Sequence, residues 1–288
     1  MPKVIRLLIA LLSTLLAAAL LVPSTAAQGR STVVGGVVIK GKIYDTWKAA
    51  GGTAKFGKPL ASRVSATVAG RTARLQRFEK GQVFFSWIGK QTFTYPGSIK
   101  LSKVVNERDA LARYGFAKGV LLRTAKLNKA TKLDRLKLAT ELRDGLIIDL
   151  RTPTVAKGAP DPKLPKVTRV NIPINPDAIY PRYVTESARR SAFAKALRAA
   201  AAAKGTVLIH CTAGKDRTGW AVAMLMYAIG ATDAQVKAEY LRTAGTDIAV
   251  LQAGLDQVNT DYGTIDAYLR TGLGLTDADF TKLKAKFA

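Results

Sequence analysis

The 288-residue chain contains a single cysteine, Cys211, and a single histidine, His210. One cysteine closes no internal disulfide, so a fold stapled by cross-links is excluded. Neither a metal site nor a cofactor is expected. Acidic residues are also scarce: 20 Asp and Glu stand against 45 Lys and Arg, a formal charge of +25. That surplus suits anionic partners such as nucleic acid, anionic lipid, a polyanionic envelope or phosphorylated substrates. Nucleic acid is not expected, because no recognition motif is present and the cations are spread along the chain. After the first 27 residues no run is long and apolar enough to span a bilayer. No tandem repeat is visible either, which excludes a solenoid.

What is present is the composition of a folded protein, 48% hydrophobic and 23% charged, in a chain long enough for one or two domains. Residues 1–27 form a separate unit. A basic start (MPKVIR), an apolar stretch (LLIALLSTLLAAALLV) and a small-residue end (PSTAA) predict a secretory signal peptide cleaved near Ala26 or Ala27. The expected location is secreted or associated with the cell envelope. Cys211 would then be a free thiol where thiols are at risk, and a small buried hydrophobe is the plainest reading of it.

Residues 35–100 are rich in Gly, Thr and aromatics, with short alternating runs that predict a small strand-rich module. IYDTWKAAGG reads as a short helix stopped by Gly51 and Gly52. From about residue 105 strands and helices alternate. LIIDL (146–150) and TVLIH (206–210) predict buried strands. Capping-box pairs Thr131/Asp134, Thr232/Gln235 and Thr276/Asp279 mark three helix starts. TGWAVAMLMYAIG is apolar around most of its circumference and predicts a core helix beginning near Thr218. The expected class is α/β, a central mostly parallel sheet flanked by helices, over residues 105–288.

The two scarce residues lie between a predicted strand and that core helix, in VLIHCTAGKDRTGW (207–220). Backbone N–H groups in such a turn, with the helix N-terminus, form an anion site. Gly214 admits close backbone approach. The same field favours a thiolate at Cys211, aimed at phosphorus. Arg217, six residues on, can fork onto two phosphoryl oxygens. Thr218 could donate to the sulfur as it leaves.

The stretch HCTAGKDRTG resembles the signature of the protein tyrosine phosphatase superfamily, His-Cys-x5-Arg-Ser/Thr. Its Gly-Lys-Asp-Arg form is similar to a bacterial branch that accepts phosphotyrosine and, in some members, phosphoinositides. LLRTAKL (121–127), IIDLRTP (147–153) and YGTIDAYL (262–269) resemble further segments of that branch, in its order. The resemblance implies the cysteine phosphatase fold and a cysteinyl-phosphate intermediate. It makes Cys211 the nucleophile, Arg217 the phosphate clamp, and Thr212, Ala213, Gly214, Lys215 and Thr218 substrate-binding. Asp216 is the first choice as general acid, with Asp177 in INPDAIYP and Asp149 in DLR as alternatives. The other reading of Asp149 is a structural ion pair with Arg151. His210 is expected to brace the loop, since the pleat points it away from the cysteine. The partner implied is a phosphorylated protein or phosphoinositide. The competing reading is a non-catalytic phosphate- or envelope-binding protein.

Residues 35–100 resemble a second unit, the LGFP repeat of exported actinobacterial proteins, with Phe56-Gly57-Lys58-Pro59 in place of Leu-Gly-x-Pro. That resemblance implies attachment to the cell envelope, or a single copy that packs on the phosphatase. Tyr44, Trp47, Phe56, Phe78, Phe84 and Phe85 are its expected core.

Overall fold

Short runs that are apolar on both faces suit strands covered on both sides, and three such runs, 121–124, 146–149 and 207–210, frame the larger part of the molecule. The computed structural model describes residues 30–94 and 99–288; the expected signal peptide lies outside the described residues. Strands β1 (Ser31–Val34) and β2 (Val37–Lys40) form a hairpin. Strands β3 (Val64–Val68), β4 (Arg71–Phe78), β5 (Gly81–Ser86) and β6 (Gly89–Thr94) make an antiparallel sheet in sequence order. The larger sheet contains β7 (Arg108–Asp109), β8 (Leu121–Thr124), β9 (Leu146–Asp149), β10 (Thr168–Asn171) and β11 (Val207–His210). Its order is β10-β9-β11-β8-β7, parallel except for the short edge strand β7. The expected α/β architecture, a mostly parallel sheet flanked by helices, is the one observed.

Each central strand alternates between two cores. Leu121, Ile148, Val207 and Ile209 face the larger core, under the helices Ser187–Ala202 and Asp216–Ala228. Leu122, Ile147 and Leu208 face the smaller one, with Leu138 and Leu142 beside the helix Lys132–Glu141. All three predicted capping boxes form with both reciprocal hydrogen bonds. The core helix begins at Asp216, two residues before its expected start. Behind it Trp220 meets Tyr180 edge-on at 5.7 Å and Tyr268 at 6.2 Å. Such aromatic pairs add about 0.5–1.5 kcal/mol each beyond burial. Gly254 permits this packing, since a Cβ there would lie 2.6 Å from Trp220.

The small module has its own core of Ile39, Ile43, Trp47, Phe56, Phe78, Val83 and Phe85, with Tyr44 packed against it. Phe84 departs from expectation. It faces the opposite side of the sheet and packs, with Ala73 and Leu75, on Leu136 of the helix Lys132–Glu141. Strand pairing begins at Ser31, ahead of the expected edge at residue 35, and Ile99 and Val104 belong to the smaller core of the α/β part. Among the described residues no helix is long and apolar enough to cross a membrane.

Candidate active site

β11 is the middle strand of five, so its C-terminal end opens between the ends of β8 and β9, where open α/β sheets bind ligands. Cys211 is the first residue past that end and is 2% exposed. The pleat sends His210 to the face of the smaller core and Cys211 to that of the larger. Gly214 has φ +69°, and a Cβ there would lie 2.3 Å from the Thr124 carbonyl oxygen. Only glycine fits this turn.

The loop's N–H and carbonyl groups face opposite ways. Among the described residues, the N–H groups of 212–217 donate to no protein acceptor, and Lys215 makes no side-chain cap to the helix that follows. Consecutive unpaired N–H groups at a helix start form a concave anion site. The carbonyls are all engaged from outside. Cys211 accepts from His210 Nδ1 (3.0 Å), Thr212 from the Lys126 N–H (3.0 Å) and Ala213 from Asn106 Nδ2 (2.8 Å). Gly214 accepts from Arg123 Nη2 (2.7 Å), and Lys215 from the Gly219 N–H (2.8 Å).

Arg217 is buried and positioned by backbone. Its Nη1 donates to the carbonyls of Leu150 (3.2 Å) and Ile174 (3.1 Å), and its Nη2 to Thr212 Oγ1 (3.3 Å). The Thr218 hydroxyl is buried and has no hydrogen-bond partner, as does that of Thr124. A buried unpaired hydroxyl is costly and calls for an explanation; for Thr218, a sulfur or phosphate acceptor in the loop supplies one. Lys215 is partly exposed, and among the described residues it forms no ion pair.

The three carboxylates proposed as general acid differ sharply in surroundings. Asp216 opens the helix, partly exposed, with the Tyr180 hydroxyl 3.5 Å from its Oδ1 and no arginine or lysine ion pair among the described residues. Burial, with Tyr240 beside it, raises the Tyr180 pKa well above its ordinary value, so it stays a donor. Asp177 is tied to Arg182 (3.0 Å), Arg189 (3.2 Å) and the Ile179 N–H (2.9 Å). Its slight burial pushes the other way, but these donors hold its carboxyl below the usual range. Asp149 is fully buried and chelated by Arg151 (2.8 and 2.9 Å) and Arg169 (2.6 Å). Burial opposes ionisation there, yet the bonds from Arg151, the charge of His210 and the bond from Arg169 bring its pKa down to about 2. Asp177 and Asp149 are each held in arginine ion pairs, Asp149 with Arg151 among its partners, as its second reading has it.

His210 is a brace. Besides the Cys211 carbonyl it meets Asp161 Oδ2 through Nε2 at 3.0 Å. Asp149, Asp161 and His210 lie close enough to hold a metal ion. Two guanidinium groups already fill that role, since Arg151 and Arg169 contact both carboxylates. The sequence reading missed Asn106, Arg123 and Asp161. Arg123 lies within LLRTAKL, a segment singled out as a whole, but nothing local marks the carbonyl it reaches.

Residues 99–288 match the profile of the tyrosine phosphatase family. A Cupriavidus necator protein provisionally named a tyrosine-protein phosphatase is 32% identical over 126 residues, covering 34% of this chain and 45% of its own. The chain thus spans under half the length of that relative. Among solved structures, P. aeruginosa TpbA is 20% identical over 55% of this chain and 88% of its own, at a TM-score of 0.37. The core catalytic domain of the PP-IP phosphatase SIW14 from S. cerevisiae is 15% identical over 56% of this chain and 94% of its own, at a TM-score of 0.34.

Proposed function

The chain belongs to the tyrosine phosphatase family, and on that premise we propose that it hydrolyses phosphate monoesters, phosphotyrosine proteins foremost, through a cysteinyl-phosphate intermediate. The observation that carries this reading is the loop 211–217. Among the described residues, the six consecutive N–H groups of 212–217 find no protein acceptor; they follow the only thiol, and a buried arginine stands at the loop's end. The N–H groups and Arg217 hold the phosphoryl oxygens and follow them as charge redistributes. The Cys211 thiolate attacks phosphorus, an S–P bond forms, and the P–O ester bond breaks. Asp216 delivers a proton to the departing oxygen. Water then attacks phosphorus, losing its proton to the Asp216 carboxylate. The S–P bond breaks, the electron pair returns to sulfur, and inorganic phosphate leaves. The Thr218 hydroxyl is free to donate to that sulfur. Lys215 adds positive charge at the mouth.

The finer reading within the family is the Gly-Lys-Asp-Arg branch, which also bears on phosphoinositides. Export through the predicted signal peptide (residues 1–27) is part of the proposal, as is an LGFP-like identity for residues 35–100. The contact of Phe84 and Leu75 with Leu136 favours a module that packs on the phosphatase over one dedicated to envelope attachment.

The test is phosphate release from an activated aryl phosphate, a phosphotyrosine peptide, a phosphoserine peptide and phosphoinositides, measured side by side with parent and Cys211→Ser protein. Parent turnover led by the phosphotyrosine peptide, and none from a folded Cys211→Ser variant, is expected. Turnover surviving in that variant would overturn the mechanism. Phosphate binding with no product burst from the parent would favour a non-catalytic binder. A lead for phosphoinositides would move the substrate class.

A further inference from the structure

We propose that Asn106 and Arg123 are positioning residues that set the polarity of the 211–217 loop, with Glu239 and Arg108 holding Arg123 for the task; the catalytic consequence rests on the phosphatase reading above. A peptide unit is planar, with its N–H and C=O pointing in opposite directions. A loop that turns its N–H groups toward an anion must therefore turn its carbonyls away. Each carbonyl then needs a donor on the outside or stays unpaired. The donors to Cys211 and Thr212 come from an adjacent side chain or from backbone, those to Ala213 and Gly214 are side chains far away in sequence, and Lys215 accepts from the Gly219 N–H and, at 3.5 Å, from the same Arg123 Nη2. Asn106 lies 107 residues from its acceptor and Arg123 lies 91 from its own.

The need is greatest at Gly214. It is buried, and its positive φ gives the turn a shape no other residue fits. The same freedom makes the peptide after it the easiest in the loop to rotate. Rotated, its carbonyl would point into the cradle and repel a phosphate, and one inward donor would be lost. Arg123 Nη2 on the Gly214 oxygen at 2.7 Å opposes that rotation.

Arg123 is itself fixed. It is fully buried, and its Nη1 donates to Glu239 Oε2 at 2.7 Å. Glu239 also accepts from Arg108 Nε at 2.6 Å, while Arg108 Nη2 reaches the Glu239 carbonyl (3.1 Å) and Thr243 Oγ1 (2.7 Å). Two guanidinium groups share one carboxylate, so the cluster keeps a net positive charge behind the loop. In a low-dielectric interior that charge favours both a thiolate and a bound phosphate dianion.

The experiment titrates inorganic phosphate into the full chain carrying Cys211→Ser, by calorimetry, and into the same protein carrying Asn106→Gly or Arg123→Lys. Glycine suits the left-handed backbone at Asn106 (φ 59°) and removes only the amide. Lysine keeps the charge of Arg123 but, as a point donor, cannot bridge Glu239 and the Gly214 oxygen with a planar fork. Phosphate affinity is expected to fall about tenfold or more in each variant, as loss of one well-placed hydrogen bond predicts, with the melting temperature of the Asn106→Gly protein unchanged. Affinities within about twofold of the parent in folded variants would overturn the proposal, taking tenfold per hydrogen bond as the yardstick. If Arg123→Lys does not fold, Asn106→Gly decides alone. The readout uses no turnover, so the two readings fail separately. A Cys211-intact chain inactive on every phosphate ester, with variants that still lose phosphate, overturns the phosphatase reading only. An active chain with indifferent variants overturns this proposal only.

Discussion

Asp216, Asp177 and Asp149 carry the same carboxyl group into three different fields, and the fields decide what each can do. Sequence places all three near the chemistry: Asp216 in the loop, Asp149 at the end of a strand, Asp177 in a proline-flanked segment. It offers Arg151 as a partner for Asp149 but is silent on the other guanidinium groups that reach Asp149 and Asp177. Arg189 reaches Asp177 from 12 residues away, and Arg169 reaches Asp149 from 20. Asp216→Asn is expected to slow turnover by about 10²–10⁴-fold for esters with poor leaving groups, the usual share of a general acid. For an aryl phosphate that departs unaided the loss should be much smaller. Asp177→Asn should show no such leaving-group dependence. Rates across a leaving-group series check both; a slope that changes only in the Asp177 variant would reverse the assignment.

Among the elements, those with local signals were read correctly and those with distant ones were not. Capping boxes form between residues three apart, so Thr131/Asp134, Thr232/Gln235 and Thr276/Asp279 were visible in sequence. β11 and the helix after it were visible because an apolar run ends at a glycine-containing turn. The ties between strands were not visible. Asp149 on β9 and Asp161 beyond it hold buried Arg151, His210 of β11 and the more exposed Arg169 of β10 in one cluster. The folded pKa of Asp149, about 2, is below its ordinary 3.8. Its contribution to stability is therefore present above about pH 4 and lost as pH falls toward 2. Urea unfolding at a series of pH values from neutral to acid should show Asp149→Asn less stable than the parent at neutral pH. The gap should narrow through that window. Parallel curves would place the stabilisation elsewhere.

Across the whole molecule, the small module and the α/β part share a packed surface rather than a tether. Arg77 of β4 reaches the Glu141 carbonyl (2.9 Å), the Glu141 carboxylate (3.1 Å) and the Thr206 hydroxyl (3.0 Å), at the base of β11, the strand that Cys211 follows. Glu141 is buried, so removing its cation leaves a carboxylate unpaired. Arg77→Met is expected to destabilise the α/β part by about 2–3 kcal/mol, less than for a fully buried pair because Arg77 keeps some contact with water. A thermal or urea melt of the full chain reads this. An unchanged transition would mean that the two parts unfold independently.

Sequence by itself determined a strand, a glycine-containing turn and a helix, with the only cysteine and an arginine six residues apart. Those features depend on backbone conformation and side chains within a dozen residues, which local patterns encode. The tertiary structure alone decided which side chains reach the loop carbonyls and where the small module docks. Those outcomes come from contacts across 91, 107 and 129 residues of chain. A buried charge is stabilised by whichever partner folding brings to it, and no spacing along the sequence names that partner.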